Sequence, residues 1–466
     1  MTGPMRRIAL SSMVVVGILA GWLTFQQVLA GSVYADDPRN VRALPDPGET
    51  ERGIITTADG VVVAEDTATG RSYPRRGDYL HLVGYVASDG SSGLERTRAP
   101  DLRSIDDGSI TSWLLGLFGA SLEPPEVRLT VVDAVQQAGI EGLAGRRGAV
   151  VALDPASGAI LAYVSSPTAD PNDLGGGDVS VSDFVESSES LDRVAFRVLP
   201  PGSTFKTLIS AAALESAMTP DTVFEDLVEY LAPGAGAPIG NASGGSCVDG
   251  DEITLREALV VSCNTVFAPL AVDLGGEAVN DIAERAGFNS VLPFELGAAI
   301  SSIPTGDELS ADPAALAQTG IGERDVRVTP LQMAVLTGGI ANGGMMMEPH
   351  VVDRVLTRDG STLSKTRSKE LGRIFTGDVA ADLVSMMIDV VTDGTGRAAS
   401  LPDVTVAGKT GTAEGAAGNH AWFIGFAPAE DPSIVVVVVV EEGGSGGAVA
   451  APIARTVLEA YLTNST

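Results

Sequence analysis

Where the apolar strands fall constrains this chain more than any other feature. GAVVALDPASGAILAYVSSP, residues 148–167, reads as two apolar strands joined by a hairpin turn at Asp154-Pro155-Ala156-Ser157-Gly158. Much later, VTVAGKTGTAE (404–414), HAWFIGFAPA (420–429) and SIVVVVVVEE (433–442) read as three further strands, with GAAGN and AEDP as the turns between them. Helical segments dominate from about residue 190 to Asn342, and APIARTVLEAYL (451–462) is a helix by the spacing of Ile453, Val457, Leu458 and Leu462. Strands adjacent in sequence usually pair antiparallel. The simple solution is one antiparallel sheet made from both ends of a domain, with helices packed on it, an α+β arrangement.

The rest of the chain is organised around that domain. Arg6 and Arg7 precede an apolar run from Ile8 to about Leu23, and no charge follows until Asp36. That fits one membrane helix with its basic end in the cytoplasm. A cleaved signal peptide is the competing reading, since Val33-Tyr34-Ala35 has the small-residue pattern of a cleavage site. Either way the remainder lies outside the cytoplasm. A stretch rich in Gly, Asp, Arg and Pro follows, with a strand–turn–strand signal in GIITTADGVVVAE around Asp59-Gly60. Pro124-Pro125 marks a boundary. The expected division is 1–30, cytoplasmic tip and anchor; 31–125, a small β-containing domain; and 126–466, the main domain.

With 44% hydrophobic and 19% charged residues the chain is globular, and its net charge of −30 repels phosphates and anionic lipid. Nucleic acid is therefore not an expected partner. Cys247 and Cys263 are the two cysteines. Outside the cytoplasm they can form a disulfide or remain separate buried thiols, and sequence does not give their distance. They and the three histidines are not at zinc spacing, so no metal or other cofactor is expected.

Only four of the 30 basic residues are lysines: Lys206, Lys365, Lys369 and Lys409. Lys206 lies in LPPGSTFKTL, where Pro200, Pro201 and Gly202 stop any earlier element and place Ser203 at or near a helix N-terminus. Residues i and i+3 share a helix face, so Ser203 and Lys206 can touch. A desolvated lysine can take the serine proton. The bland alternative is an N-cap serine with a solvent-facing lysine. Ser262-Cys263-Asn264 interrupts two apolar helical runs and is either a buried polar site or an N-cap. Lys409-Thr410-Gly411-Thr412 falls on the first late strand. Its glycine lets another backbone approach closely, and a strand edge there can take up an extended peptide. An ordinary charged edge is the alternative.

Taken together and in this order, Ser-x-x-Lys, Ser-x-Asn and Lys-Thr-Gly form the active-site set of penicillin-binding proteins and serine β-lactamases, and the chain resembles that superfamily. LPPGSTFK, QTGIGERDVRVTPLQMA (318–334), DGTGRAA (393–399) and NHAWFIGFAP (419–428) resemble class B penicillin-binding proteins. RGIITTADG from Arg52, and GLE at Gly93 to Glu95, resemble the start of their pedestal domain. The DPRN segment and the short pedestal look most like the penicillin-binding protein A group of actinobacteria. Cys263 at the middle of the second motif departs from the aspartate of class A β-lactamases, and a disulfide to Cys247 would tether that loop.

The resemblance implies a serine β-lactamase/D,D-transpeptidase-like fold: a five-stranded antiparallel sheet flanked by helices, a helical subdomain, a small pedestal and one N-terminal transmembrane helix. It implies a peptidoglycan D,D-transpeptidase at the bacterial cell membrane, with its catalytic domain extracytoplasmic. Ser203 would attack the penultimate D-Ala carbonyl of a donor stem peptide, and Lys206 would be its base. Ser262 with Asn264 would relay a proton, and Lys409 and Thr410, with Thr412, would hold the substrate carboxylate beside Gly411. An acceptor stem peptide would then take the acyl group, and β-lactams would trap the enzyme. The stretch before Pro125 is too short for a glycosyltransferase domain, so a membrane glycan polymerase of the shape, elongation, division and sporulation family is the implied partner. The rivals are a D,D-carboxypeptidase, a serine β-lactamase, a Ser-His-Asp hydrolase using His420, and a pseudoenzyme scaffold of the division machinery.

Overall fold

The computed structural model describes residues 51–87, 90–103, 123–176 and 181–464, together with Leu19 and Trp22. Apart from those two residues, the apolar run read as an anchor lies outside the described residues, as do Val33-Tyr34-Ala35 and the DPRN segment. Among the described residues no helix is long and apolar enough to cross a membrane. The elements that position the site run, in chain order, β1 (Ile55–Thr56), β2 (Val62–Thr67), β3 (Gly70–Ser72), β4 (Glu126–Leu129), α1 (Asp133–Leu143), β5 (Gly148–Leu153), β6 (Ile160–Ser166), α2 (Lys206–Glu215), α3 (Leu255–Val261), α4 (Asn264–Leu274), α5 (Pro330–Ala341), β7 (Val352–Leu356), β8 (Thr362–Lys365), α6 (Gly377–Thr392), β9 (Ala407–Ala413), β10 (His420–Ala427), β11 (Ile434–Val440) and α7 (Gly446–Asn464).

Five strands form the main sheet in the order β9-β10-β11-β5-β6, every pair antiparallel. The valine run is its middle strand. Side chains on a strand alternate between faces, and here the two faces meet different cores. Val435, Val437 and Val439 join the cluster that holds Leu331 and Leu336 of α5. Val436, Val438 and Val440 join Val135 and Leu143 of α1 and Val457 and Leu458 of α7. All seven residues of β11 are at most 1% exposed. Each such side chain contributes about 1.5–3 kcal/mol on burial, which explains why no polar residue interrupts the strand. β9 lies at the edge of the sheet.

A second sheet, ordered β8-β7-β4-β1-β2-β3, forms the N-terminal region. Gly60 (φ +83) sits in the turn between β1 and β2, which pair antiparallel. The sheet does not stop at Pro125: β4 pairs parallel to β1 and antiparallel to β7, so chain from both sides of that boundary shares one sheet. Two motif fragments meet in this region. The buried Arg52 guanidinium donates to the Glu95 carboxylate at 2.9 Å and to its carbonyl at 2.6 Å, and Arg71 donates to the same carboxylate at 2.7 Å. A side chain at Gly53 would strike the Pro125 carbonyl, 1.7 Å from the Cβ position.

The helical block packs around α2. Every residue from Lys206 to Leu214 is buried, and the alanines of KTLISAAAL permit close approach by its neighbours. The polar stretch 168–189 carries two short helices, Pro171–Gly176 and Val181–Glu186.

Candidate active site

Ser203 sits in a 3-10 turn, Gly202–Phe205, that runs directly into α2. Gly202 (φ +53) makes the turn possible, because a Cβ there would lie 2.7 Å from the Thr412 carbonyl. The turn in turn crowds β9: a side chain at Gly411 would meet the Pro201 carbonyl and the Thr204 methyl, each at 2.9 Å. The close approach expected of the strand glycine is therefore made by the backbone that carries the serine.

Lys206 is fully buried one turn after Ser203. Its Nζ donates to the Ser262 carbonyl at 2.7 Å and to Asn264 Oδ1 at 2.7 Å, lies 3.3 Å from Ser262 Oγ, and stands 5.4 Å from the Phe267 ring centroid. Lys409 is equally buried, and its Nζ donates to Ser262 Oγ at 2.8 Å and to the Thr410 carbonyl at 3.1 Å. Ser262 Oγ thus stands between two amines. No hydrogen bond is made by the Ser203 hydroxyl among the described residues.

The two lysines share a cause but not an extent. Burial lowers both, since charge is unfavourable away from water. Lys409 falls to about 7. Lys206 falls well below the ordinary lysine value, by burial first and then by the nearby Lys409 charge, with Glu323 opposing. Lys206 is therefore the amine that stays neutral. A neutral amine has two N–H bonds and one lone pair. The two carbonyl-type acceptors occupy the N–H bonds and leave the lone pair for a hydroxyl.

The second motif depends on residues outside it. Ser262 ends α3 with φ +64, a left-handed conformation rare for a side-chain-bearing residue, which turns the chain sharply before α4. Cys263 is the N-cap of α4 but provides no cap bond. Asn241 supplies it from a distant loop: its Oδ1 accepts from the backbone N–H of Asn264 at 2.9 Å and of Thr265 at 3.1 Å. Asn264 is thereby free to face Lys206, and its Nδ2 donates to the Gly240 carbonyl at 2.9 Å. Cys263 is bonded to Cys247, Cα–Cα 5.7 Å, so the loop carrying Asn241 is closed onto the motif covalently. Asp226, beside the pair, instead accepts from the backbone N–H of Cys247 and Val248.

A cavity of about 750 Å³ opens over these groups, lined by Ser203, Ser262, Asn264, Thr410 and Thr412. It adds residues not singled out from the sequence: Asn241, Glu323, Thr395 and Glu414. Thr395, in the DGTGRAA stretch, shares a 2.6 Å hydrogen bond with the Thr410 hydroxyl. His420 is buried, its Nδ1 accepts from the Glu442 N–H at 3.2 Å, and it does not line the cavity. The other ring bonds of histidine go to the Glu189 and Glu348 carbonyls, from His81 and His350. A Ser-His-Asp arrangement is absent among the described residues.

The penicillin-binding protein transpeptidase domain matches residues 148–459 of this chain. The chain belongs to that family. It is 35% identical over 492 aligned residues to the peptidoglycan D,D-transpeptidase PbpA of Mycolicibacterium smegmatis, covering 99% of each. Among solved structures it is similar to penicillin-binding protein A of Mycobacterium tuberculosis in its ceftriaxone acyl-enzyme complex, with a TM-score of 0.83, 35% identity, and 90% of this chain and all of that one covered. It is similar too to the D,D-transpeptidase domain of a peptidoglycan glycosyltransferase from Eggerthella lenta, with a TM-score of 0.78, 33% identity, and coverage of 89% and 99%. Every residue that lines the cavity falls within the matched transpeptidase domain.

Proposed function

We propose that this chain is a serine D,D-transpeptidase that cross-links peptidoglycan stem peptides and is acylated by β-lactams. The observation that carries the reading is the buried chain Lys206–Ser262–Lys409, whose Ser262 lines one cavity together with Ser203. The neutral amine of Lys206 takes the Ser203 proton as the hydroxyl attacks the carbonyl of the penultimate D-Ala. The bond to the terminal D-Ala then breaks, and Ser262 passes a proton towards the departing nitrogen, with Lys206 and Lys409 on either side of its oxygen. Asn264 fixes the Lys206 amine. Lys409, Thr410 and Thr412 hold the donor carboxylate on the β9 edge; that anion would draw Lys409 to its protonated form, since an opposite charge favours the charged state. The first turn of a helix leaves backbone N–H groups unpaired, and such donors stabilise a developing oxyanion by roughly 3 kcal/mol.

The disulfide supports an extracytoplasmic site, because such bonds persist in oxidising compartments. With it stands the apolar run 8–23 as a single membrane anchor, the 31–125 region as a pedestal for the 126–466 domain, and a membrane glycan polymerase as partner. Fusing a reporter enzyme active only in the periplasm or only in the cytoplasm after residue 50 tests the orientation. Cytoplasmic activity refutes it. The catalytic reading is tested by incubating the full-length protein, purified in mild detergent, with a fluorescent penicillin. Absence of a covalent band ends the reading.

A further inference from the structure

Acylation accounts for Ser203, Lys206, Ser262, Asn264 and Lys409, but the same cavity holds a carboxylate that this step does not use. Glu323 is half-buried on the loop that follows Thr319-Gly320, and that loop is fastened to the turn of the nucleophile. The Gly202 N–H donates to the Gly322 carbonyl at 2.9 Å. Gly322 (φ +77) presses so closely that a Cβ there would lie 2.0 Å from the Gly202 carbonyl oxygen. Ser203 and Glu323 are the next residues along these two touching backbones, and both line the cavity. On its far side, Glu323 Oε1 accepts from the Glu414 N–H just past β9, at 3.1 Å. The carboxylate is therefore held between the serine turn and the end of the substrate-binding strand. Burial raises its proton affinity to about 7; the Glu414 charge adds to this, while the Glu414 N–H, Arg327 and Lys206 oppose it.

The second half of the proposed reaction has a need that this group meets. The acceptor is a primary amine, which is an ammonium near neutral pH and has no lone pair for attack. We propose that Glu323 receives the acceptor, binding its ammonium and removing one proton so that the nitrogen can attack the acyl carbon. The proton passes from nitrogen to the carboxylate. The neutral nitrogen then bonds to the acyl carbon, the bond from Ser203 Oγ to that carbon breaks, and the nitrogen's second proton returns to Ser203 through Lys206. Glu323 releases its own proton to solvent. This inference rests on the transpeptidase reading and deepens it, making Glu323 a catalytic residue of acyl transfer.

The test measures partition. Full-length protein in mild detergent is given an acyl-D-alanyl thioester as donor and D-alanine as amine acceptor. The amide and free-acid products are quantified against pH from 5.5 to 9. General-base catalysis contributes on the order of 10²–10⁴-fold. In Glu323→Gln the amide-to-acid ratio should fall about tenfold or more, and the rise of that ratio through neutral pH should disappear. An unchanged ratio overturns the proposal, including the case where both products fall together because Lys206 has lost a neighbouring charge. If Glu323→Gln does not fold, Glu323→Asp keeps the charge with a shorter reach: a reduced ratio supports the proposal and a wild-type ratio overturns it. Failure of the wild-type protein to form any acyl-enzyme refutes the transpeptidase reading instead, so the two failures are distinguishable.

Discussion

Replacing Lys409 by methionine should make the protein more stable while removing its catalytic competence. Lys409 is fully buried, and burial lowers its proton affinity from the ordinary 10.5 to about 7. At about 1.4 kcal/mol per tenfold change, that drop corresponds to about 5 kcal/mol of destabilisation when the unfolded chain is protonated. Methionine keeps most of the volume and needs no water. It forfeits the hydrogen bonds to Ser262 Oγ and the Thr410 carbonyl, worth about 1 kcal/mol each. The net gain is about 3 kcal/mol. Its sign with pH is fixed. The unfolded chain holds the proton more tightly than the folded one, so the penalty is full below about pH 7. It shrinks as pH rises and is gone above 10.5. Urea unfolding of wild type and Lys409→Met, followed by tryptophan fluorescence at pH 7 and pH 9.5, reads the gap directly. The variant should be the more stable at pH 7, and the gap should narrow by pH 9.5. A variant less stable than wild type at pH 7, or a gap that does not change with pH, would show that desolvation of this amine does not govern its cost to the fold.

Other substitutions separate chemistry from architecture. Lys206→Arg should reduce fluorescent-penicillin labelling by at least about 10²-fold, because a guanidinium does not give up its proton; near-normal labelling contradicts the base role. Asn241→Ala removes the acceptor for two backbone N–H groups at the start of α4. It should lower unfolding stability by about 1–2 kcal/mol and slow acylation as Asn264 shifts from Lys206; stability loss with unaltered acylation would detach the cap from the site. Reducing the Cys247–Cys263 bond, or Cys247→Ser, should destabilise the protein by about 3 kcal/mol in the chain-entropy model and slow acylation. Equal melting curves with and without reductant contradict this.

Much of the fold was legible because its strands announce themselves locally. The alternating destinations of Val435 to Val440 need a long apolar run, and the turns at Asp154–Gly158 and Asp59-Gly60 need residues that tolerate tight bends. The strands within 345–373 were not legible. Thr362–Lys365 is exposed throughout, so no burial alternation marks it, and Met345–Met347 is too short to show a period. The domain edge at Pro125 was blurred for a related reason: β4 finds its partners at Ile55–Thr56 and Val352–Leu356, contacts that only tertiary structure makes. At the site, Ser203 and Lys206 stood out only in company with Ser262-Cys263-Asn264 and Lys409-Thr410-Gly411, because their spacing alone also fits a helix cap and a surface charge, whereas Asn241, Thr395 and Glu323 reach the cavity through chain crossings far apart in sequence. The sequence left both a bonded pair and separate thiols open for the two cysteines, and their separation in space decided it. The fold lowers the proton affinity of both lysines: Lys409 by burial, and Lys206 by burial first and then by the Lys409 charge, with Glu323 opposing.

In the proposed mechanism Ser203 is the acylated nucleophile. Incubation of the full-length protein with penicillin G, followed by intact-mass measurement and peptide mapping, tests it most directly. One added penicilloyl group is expected, located on the peptide containing LPPGSTFK and absent from Ser203→Ala. Labelling of Ser203→Ala at the wild-type level, or an adduct on any other peptide, would contradict it.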